Sequence, residues 1–543
     1  MTSPYEEGDP KAKLLVLTEA PAKFEVRLGK PLMGQAGDVF ADCLHQVGMF
    51  RSECYILSIW PYAVTKDKAG NLYDGPRLLW HVGKGFTEAG LEDAQATIEK
   101  IQNSECNAIL ALGPQAFTLL SGDTKPKPLG KWRGSPLWSS VVERKFIPTY
   151  HPAQTLHGTY LWRYMLMNDM AKIKMELSYP ELNLPQRNIR LRPQLRDVLE
   201  YIEKCRVAGR VATDLEVINH QVYCFSLSYD PSDAMVVPLV GPEKQDWFTE
   251  DEEIILWQHY AALMSNPDVM KVNQNIIGFD SVFLLLQNNI HLKGYLADTM
   301  IAQHVMYPEF PKGIDFISSM HTREPYWKDD GKIWKTDAKF DWEKFQIYCG
   351  RDAAVCLEAW DVLKEELNDG YWPAYEMTRR LAEPLAYMSV RGLAVDIDGL
   401  ADTKIKLGIA IEEKLKELNE IAEIPFSPTS PKQCQKYFYE HLNIKPYRNA
   451  EGGVTTDDKA MSRIFRKGGK GSKEAKLVQE IRTLLKLKGT YIDVDLDGDN
   501  RLRCSWNPRG TWTGRLSSSK TILGKGLNLQ NLHPEFKGFI VAG

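Results

Sequence analysis

Two acidic residues stand inside an apolar, β-branched run of this 543-residue chain. The run reads RVATDLEV, and its acids, Asp214 and Glu216, are two positions apart. Residues two apart on a strand leave the same face, so both carboxylates point the same way into a core. Such charges repel each other and lose solvation unless cations bridge them. The run therefore predicts a strand with a pair of metal ligands, although D-x-E alone is a weak signal.

Two later segments supply further acids. In KVNQNIIGFDSVFLLL, Asp280 stands at the head of an apolar run of helical type, after Asn275. In QIYCGRDAAVCLEAW, Tyr348 and Asp352 are four residues apart, which places them on one face of a helix. Carboxylate oxygens are the ligands that hard divalent cations prefer. These acids are therefore further candidate metal ligands.

Strand-like runs alternate with helical runs over much of the chain, which predicts a multidomain α/β fold. The first region opens with LLVLT and continues with YILSIW and AILALG, as expected for a parallel sheet. The composition of the next segment, which is rich in Pro, Asn, Gln and Leu, predicts a linker. The predicted divisions are an α/β domain at 1–179, a linker at 180–192, a second α/β domain at 193–367, a mostly helical region at 368–493, and a strand-and-loop region at 494–543.

Taken in order, D-x-E, N-x-x-x-x-D and Y-x-x-x-D resemble the three motifs of the DEDD 3′-5′ exonuclease superfamily, tyrosine subtype. That superfamily supplies the proofreading domain of family A and family B DNA polymerases. The resemblance implies an RNase H-like domain at 193–367, called the exonuclease domain below, that contains two divalent cations, Mg²⁺ or Mn²⁺.

The resemblance also implies a role for each motif residue. The implied metal ligands are Asp214, Glu216, Asp280 and Asp352. Tyr348 is expected to orient the attacking water rather than take its proton, and Asn275 is expected to contact DNA. Asp298, in LADTMIA, matches a position that is often acidic in this fold, and we interpret it as structural support.

The C-terminal part carries a second resemblance. TWTGRLSSSK followed by LNLQNL is similar to the family A polymerase motif T-G-R-L-S-S…N-L-Q-N, where the thumb meets the palm. FSPTSPKQCQKYFYEHL, GGVTTDD and LLKLKGTYID resemble the thumb of the same family. The implied DNA-binding residues are Thr513, Arg515, Ser517, Asn528, Gln530 and Asn531.

Charge is unevenly distributed along the chain. From Lys459 to Gly543 there are 17 Lys and Arg against 7 Asp and Glu, although the whole chain has a net charge of -4. A local basic surface is what binding to DNA phosphates requires, although a solvated helix face explains the charge equally well.

The family's catalytic palm motifs are expected beyond FKGFIVAG, where this sequence ends. We therefore expect the chain to polymerise DNA only with a missing part. A second polypeptide that carries palm and fingers would supply it, or the chain has been shortened artificially.

The first region resembles the uracil-DNA glycosylase superfamily, closest to its iron-sulfur family. The resemblance rests on LLVLTEAPAKFEVRLGKPLMGQAGDVF, ILALGPQAFTLLSG, GKWRGSPLW and PTYHPAQTLHG. It implies a base-binding pocket that includes Glu19, Pro21, Ser58 and His151. The region 1–179 is called the glycosylase-like domain below.

This domain departs from the family's pattern. Thr18 and Ala22 replace two glycines, Leu32 replaces an aromatic residue, and Ser58 replaces the asparagine that would recognise the base. Without that amide, discrimination for uracil falls by about 1 to 3 kcal/mol. We therefore expect a non-catalytic domain that helps to hold DNA or a partner. The nine cysteines include no C-x-x-C pair, so no iron-sulfur cluster is expected.

No segment is apolar enough to cross a bilayer, and MTSPYEEGDPK lacks the features of a signal peptide, so we expect no membrane partner and a cytoplasmic location. A glycosylase-like domain ahead of a family A polymerase resembles some bacteriophage replication polymerases, in which case the cytoplasm is the host's. Three hypotheses follow: the proofreading part of a polymerase, a uracil-repair glycosylase fused to an exonuclease, and a non-catalytic DNA-clamping subunit.

Overall fold

The computed structural model describes residues 5–157, 160–331 and 340–541, with the side chains of His157 and Ala382 left out. The chain divides into two units, Met1–Leu284 with Asn288–Arg380 and Leu285–Gln287 with Leu381–Gly543. The first unit holds both predicted α/β domains. Gly158 of PTYHPAQTLHG and the last two residues of FKGFIVAG lie outside the described residues.

The glycosylase-like domain is built on two sheets. Its strands are β1 (Glu6–Glu7), β2 (Leu14–Thr18), β3 (Cys54–Ser58), β4 (Thr65–Lys66), β5 (Leu72–Asp74), β6 (Arg77–His81), β7 (Gly85–Phe86), β8 (Ala108–Leu112), β9 (Leu137–Ser139) and β10 (Arg144–Thr149). Its helices are α1 (Lys23–Leu28), α2 (Gly34–Gln46), α3 (Glu88–Gln102), α4 (Gly113–Ser121), α5 (Leu129–Trp132), α6 (Gln154–His157) and α7 (Leu161–Met175).

The larger sheet has the order β1-β3-β2-β8-β10-β9, and its four inner strands are parallel. All five residues of β2, β3 and β8 are buried, as expected for strands with helices on both faces. The carboxyl ends of these strands lie side by side, which brings Thr18 and Ser58 to one edge of the sheet. The smaller sheet is an antiparallel meander, β4-β5-β6-β7.

The exonuclease domain is built on one sheet covered by a long helix. Its strands are β11 (Asn188–Arg190), β12 (Arg210–Ile218), β13 (Gln221–Asp230), β14 (Asp233–Pro238), β15 (Met270–Asn273) and β16 (Leu296–Asp298). Its helices are α8 (Leu195–Ala208), α9 (Glu250–Met264), α10 (Asp280–Asn288), α11 (Thr299–Met306), α12 (Ile314–His321), α13 (Trp342–Glu366) and α14 (Trp372–Arg379). The strand order is β11-β14-β13-β12-β15-β16, with β12 antiparallel to β13 and parallel to β15.

Two predicted boundaries differ from the structure. The segment 180–192 is not a linker throughout, because β11 pairs in parallel with β14 at the edge of the sheet. The domain also extends beyond residue 367, because the Asp298 N–H donates to the Tyr375 hydroxyl of α14 over 2.9 Å. Both differences arise from pairing between residues far apart in sequence.

The second unit is mostly helical and also contains small sheets. Its helices are α15 (Ala382–Arg391), α16 (Ile397–Ile421), α17 (Pro431–Gln435), α18 (Asp458–Lys467), α19 (Ser472–Leu487) and α20 (Pro534–Lys537). Its strands are β17 (Leu393–Val395), β18 (Tyr447–Arg448), β19 (Val454–Thr455), β20 (Arg501–Leu502), β21 (Ser505–Asn507), β22 (Ser517–Ser519) and β23 (Ile540–Val541). Single π-helical turns follow α17 and α19. Among the described residues, every helix is too short or too polar to cross a bilayer.

Candidate active site

The central strand β12 carries the first two acids. Asp214 lies opposite Ser226 of β13, and Glu216 lies opposite Cys224, before an irregularity in the pairing. Their separation of two residues places both carboxylates on one face of the strand, as the sequence predicted. The face is covered by α13, which packs against both β12 and β13.

Helix α13 brings the third acid to the same place. The carboxylate oxygens of Asp214, Glu216 and Asp352 lie within 4.8 Å of one another, and Asp352 is only 6% exposed. Tyr348 is on the same helix, one turn earlier. Three carboxylates at this spacing form a suitable oxygen ligand set for a hard divalent cation, so the residues present fit the metal site that the sequence predicted.

Asp280 is the first residue of α10 and is 2% exposed. It lies outside the group of three acids whose oxygens are mutually close. Burial and then the negative charge of Asp214 raise the pKa of Asp280 well above its ordinary value, so its carboxyl group senses the same cluster. The structure therefore brings three of the four predicted ligands together and places the fourth beside them.

The cluster is electrostatically unfavourable by itself. Burial, followed by the charge of Asp352, raises the pKa of Asp214 to about 7. Burial and the charge of Asp214 also raise the pKa of Glu216. Both shifts mean that the ionised carboxylates lack sufficient positive charge nearby. A bound divalent cation would supply it.

The sequence analysis did not identify two residues that contact the predicted site. The indole N–H of Trp327 donates to Oδ1 of Asp352 over 2.5 Å, and the Lys328 ammonium donates to Oδ2 of Asp352 and to the Tyr348 hydroxyl. Burial disfavours the charged form of Lys328, but Asp352 and Asp214 outweigh it and raise its pKa. The only sequence signal was the aromatic and basic cluster PYWK, which has no spacing relation to the acids.

The Tyr348 hydroxyl stays protonated at ordinary pH. Burial and the charge of Asp352 raise the pKa of this phenol. The group can therefore donate a hydrogen bond to water but cannot act as a base, and its orienting role stays a prediction.

Asn275 and Asp298 lie beside the acids. Asn275 has a left-handed backbone, φ 64°, and its N–H donates to Oδ1 of Asp298 over 3.2 Å. Asp298 also accepts from the backbone N–H groups of Met300 and Ile301, as the N-cap of α11. Asp298 therefore supports the turn that carries Asn275. Asn275 is half-buried, and its predicted contact with DNA stays a prediction.

In the second unit, the polymerase-like motif forms a hairpin and a turn. Ser517 lies in β22, and the neighbouring Ser518 hydroxyl donates to Oδ1 of Asn528 over 2.8 Å. The Gln530 amide donates to the Leu516 carbonyl over 2.9 Å. Asn528 and Gln530 thus hold the motif together. Those of the six predicted DNA-binding residues that are exposed are Thr513, Arg515, Gln530 and Asn531.

The predicted pocket residues of the glycosylase-like domain lie at or just after the carboxyl ends of the parallel strands β2, β3 and β10. Nδ1 of His151 accepts from the Ala153 N–H over 3.2 Å, so Nε2 carries the proton and donates to Thr18 Oγ1 over 3.0 Å. Burial lowers the pKa of His151 to about 4, which keeps the ring neutral. Burial also raises the pKa of Glu19.

The other pocket residues are buried. Pro21 is buried, and Leu32 is 3% exposed and packs in the core formed with α2 and α7. Ser58 is fully buried, and its hydroxyl has no hydrogen-bond partner among the described residues. All nine cysteines of the chain are free and buried, as expected for reduced thiols.

Comparison with known families identifies both ends of the chain. Residues 397–535 match the model of "DNA polymerase family A", and residues 5–171 match that of the "uracil DNA glycosylase superfamily". Both predicted resemblances and the multidomain α/β fold class are confirmed. The chain is therefore similar to family A DNA polymerases over residues 397–535 and to uracil-DNA glycosylases over residues 5–171.

Similar proteins include DNA polymerase I of Synechocystis sp., 30% identical over 286 residues, which are 50% of this chain and 28% of that protein. DNA polymerase I of Borreliella burgdorferi is 23% identical over 362 residues, which are 64% of this chain and 38% of that protein. The chain therefore spans less than two thirds of these relatives' length. A solved structure, "POL domain of Pol1 from M. smegmatis complex with DNA primer-template and dNTP", is 20% identical, with TM-score 0.46, covering 64% of this chain and 56% of that one.

Proposed function

We propose that the exonuclease domain removes nucleotides from the 3′ ends of DNA, and that the chain is the proofreading and DNA-holding portion of a family A DNA polymerase. The observation that carries this proposal is the convergence of Asp214, Glu216 and Asp352 within 4.8 Å, from a strand and a helix far apart in sequence. A cluster of like charges that is half-buried at Asp214 and Glu216 and buried at Asp352 is costly to fold, and metal-dependent hydrolysis gives it a use.

Two divalent cations at this site would supply an activated water and stabilise the leaving 3′ oxygen. Asp214, Glu216 and Asp352 would hold the cation that activates water, and Asp214 and Asp280 would help to hold the second ion. The protonated Tyr348 hydroxyl orients the attacking water, and Lys328 fixes the phenol by donating to its oxygen.

The polarity of cleavage tests this proposal. A single-stranded oligonucleotide labelled at its 5′ end should shorten one nucleotide at a time in Mg²⁺ and stay intact in EDTA. A 3′-labelled oligonucleotide should release its label as a mononucleotide. Immediate release of label from the 5′ end, or an intact substrate in both Mg²⁺ and Mn²⁺, contradicts the assignment.

We propose that the polymerase-like hairpin in the second unit holds DNA by its phosphates. The exposed Arg515 and the basic excess from Lys459 onward support this. Contacts of this kind give affinity without sequence preference. Arg515→Ala should weaken binding to primer-template DNA and lower the slope of log affinity against log salt by about 1, measured by fluorescence anisotropy. Lys406→Ala, an exposed lysine outside the motif, is the control, and equal effects contradict the assignment.

For the glycosylase-like domain we propose a non-catalytic role in holding DNA or a partner. Its pocket histidine already donates to Thr18, and the residue in place of the base-recognising amide is a buried serine. A fused uracil-repair glycosylase is the alternative, because the domain matches that superfamily.

We propose that nucleotide addition by this chain uses palm and fingers motifs carried by a second polypeptide, and that the chain is of bacteriophage origin. Gel filtration of the chain with a polypeptide bearing those motifs tests the proposed partner. Co-elution together with nucleotide addition is the expected result.

A further inference from the structure

Residues 322–331 follow α12 and contact both domains of the first unit. This segment is called the bridging loop. Trp327 and Lys328 lie in its middle, and both oxygens of Asp352 accept hydrogen bonds from it: Oδ1 from the indole and Oδ2 from the ammonium, each over 2.5 Å. Lys328 also donates to Tyr348. The loop therefore fixes one metal ligand and the residue that orients water.

The other side of the bridging loop is held by the glycosylase-like domain. The Tyr326 N–H donates to Ser135 Oγ over 3.1 Å, and its ring packs on Trp132, with centroids 5.2 Å apart. The Lys131 ammonium binds Asp329 over 2.8 Å. These contacts lie immediately before and after the two residues that reach Asp352.

The start of the loop is fixed by buried charges of the same domain. Lys172 on α7 is 6% exposed, and its ammonium donates to the Ser319 and Thr322 carbonyls, each over 2.6 Å. Arg133 is 1% exposed, pairs with Asp169 over 2.5 Å and donates to the Ser319 hydroxyl over 3.2 Å. Buried charges keep such partners because an unpaired charge is costly in a protein interior. The domain interface and the loop are therefore one connected structure.

We propose that the glycosylase-like domain is a positioning element of the exonuclease site, and that it acts through the bridging loop on Asp352 and Tyr348. This rests on the proposed exonuclease function. The domain needs no glycosylase chemistry for this role. Its turn at α5 aligns the loop, and the loop aligns a metal ligand, whose displacement by about 1 Å is enough to lower a hydrolytic rate substantially.

The Lys131–Asp329 ion pair allows a reciprocal test, because both residues lie outside the acid cluster. Lys131→Glu and Asp329→Lys should each weaken Mn²⁺ binding, measured by calorimetry on the full metal-free chain, and slow 3′ hydrolysis, each by about three- to fivefold. The double variant should restore both quantities. Tyr326→Ala removes the ring packed on Trp132 and should lower both the Mn²⁺ affinity and the rate of 3′ hydrolysis by about tenfold.

The matched control is a second ion pair of the glycosylase-like domain, Lys100 with Glu6. Lys100 and Lys131 are equally exposed, at 35%. Lys100→Glu should leave Mn²⁺ affinity and hydrolysis within twofold of the unmodified chain. The proposal is overturned if this control matches Lys131→Glu, if the charge swap restores neither quantity, or if the single variants change nothing.

The calorimetric measurement separates the two proposals. Suppose that the unmodified chain hydrolyses no DNA, but that Mn²⁺ affinity falls in the Lys131→Glu and Asp329→Lys variants and recovers in the double variant. The exonuclease function then fails and the positioning role stands. If DNA is hydrolysed but the cycle shows no coupling, the positioning role alone fails.

Discussion

The exonuclease acids and the glycosylase-like pocket both lie on the sheets of α/β domains, but their polar groups have opposite relations to one another. In the exonuclease domain, three carboxylates have oxygens within 4.8 Å of one another, and burial together with the neighbouring negative charge raises the pKa of Asp214 and of Glu216. In the pocket, His151 and Thr18 satisfy each other by a hydrogen bond of 3.0 Å.

The comparison teaches which site depends on a ligand. Three converging carboxylates with one ammonium group, that of Lys328, destabilise the folded chain until a cation adds further positive charge, so a selected use explains why they are present. A pair of polar groups that satisfy each other is stable without any ligand. Four predictions test this difference, and they follow in order of expected size.

Removing an acid should have the largest effect. Asp214→Ala or Asp352→Ala should lower Mg²⁺-dependent release of 3′ nucleotides by roughly 10³-fold or more, because each removes a ligand that holds the activating cation. Circular dichroism should show an intact fold. Asp361→Ala, an acid on the same helix that pairs with Arg210, is the control and should keep its activity. If either site variant still degraded DNA, the assignment of these acids as ligands of the exonuclease site would be contradicted.

Cation binding should stabilise one domain only. Mn²⁺ at about 100 times its dissociation constant should raise the free energy of unfolding by about 2.7 kcal/mol, because it binds only the folded cluster. Asp214→Asn should lose most of this increase, whereas Glu19→Gln should keep it. Thermal unfolding with and without Mn²⁺ measures both. An equal loss in the two variants would contradict the contrast between the sites.

The pocket histidine should make stability fall in acid. Its pKa is lowered from 6.5 to about 4 by burial, so the folded chain disfavours the charged ring. Above pH 6.5 the ring is neutral in both states, and the free energy of unfolding falls as the pH falls from 6.5 towards 4, by roughly 2.5 kcal/mol at pH 4.5. Urea unfolding of His151→Gln should show a weaker pH dependence than the unmodified chain. His45→Gln, at an exposed position, should not.

The smallest expected effect is on uracil release. The unmodified chain should release no measurable uracil from single-stranded DNA, and Glu19→Ala and His151→Ala should be indistinguishable from it. An active glycosylase serves as the positive control. Release that is lost in either variant would show that the pocket is catalytic and would favour the repair hypothesis.

Local patterns were enough to predict the elements that carry the acids. The two-residue spacing of Asp214 and Glu216 fits a strand, because side chains on a strand return to the same face every second residue. The four-residue spacing of Tyr348 and Asp352 fits a helix, because side chains on a helix return to the same face about every 3.6 residues. The apolar run after Asp280 likewise begins a helix at that residue.

Contacts between distant segments could not be predicted in this way. Trp327 and Lys328 reach Asp352 from a loop without any period, so neither spacing nor composition relates them to the acids. The edge strand β11 was interpreted as part of a linker because its three residues gain strand geometry only by pairing with β14. In both cases the information lies in the tertiary structure.

The buried charges between the two domains of the first unit have a consequence for limited proteolysis. Lys172 and Arg133 bind groups of α12 and the bridging loop, and Arg323 binds Glu176 over 2.6 Å. A protease cut in the stretch 182–187 would break the backbone but none of these contacts. The nicked chain would therefore elute as one species in gel filtration, and its two fragments would separate only in denaturant. The two domains are thus held together by these non-covalent contacts independently of the backbone that joins them.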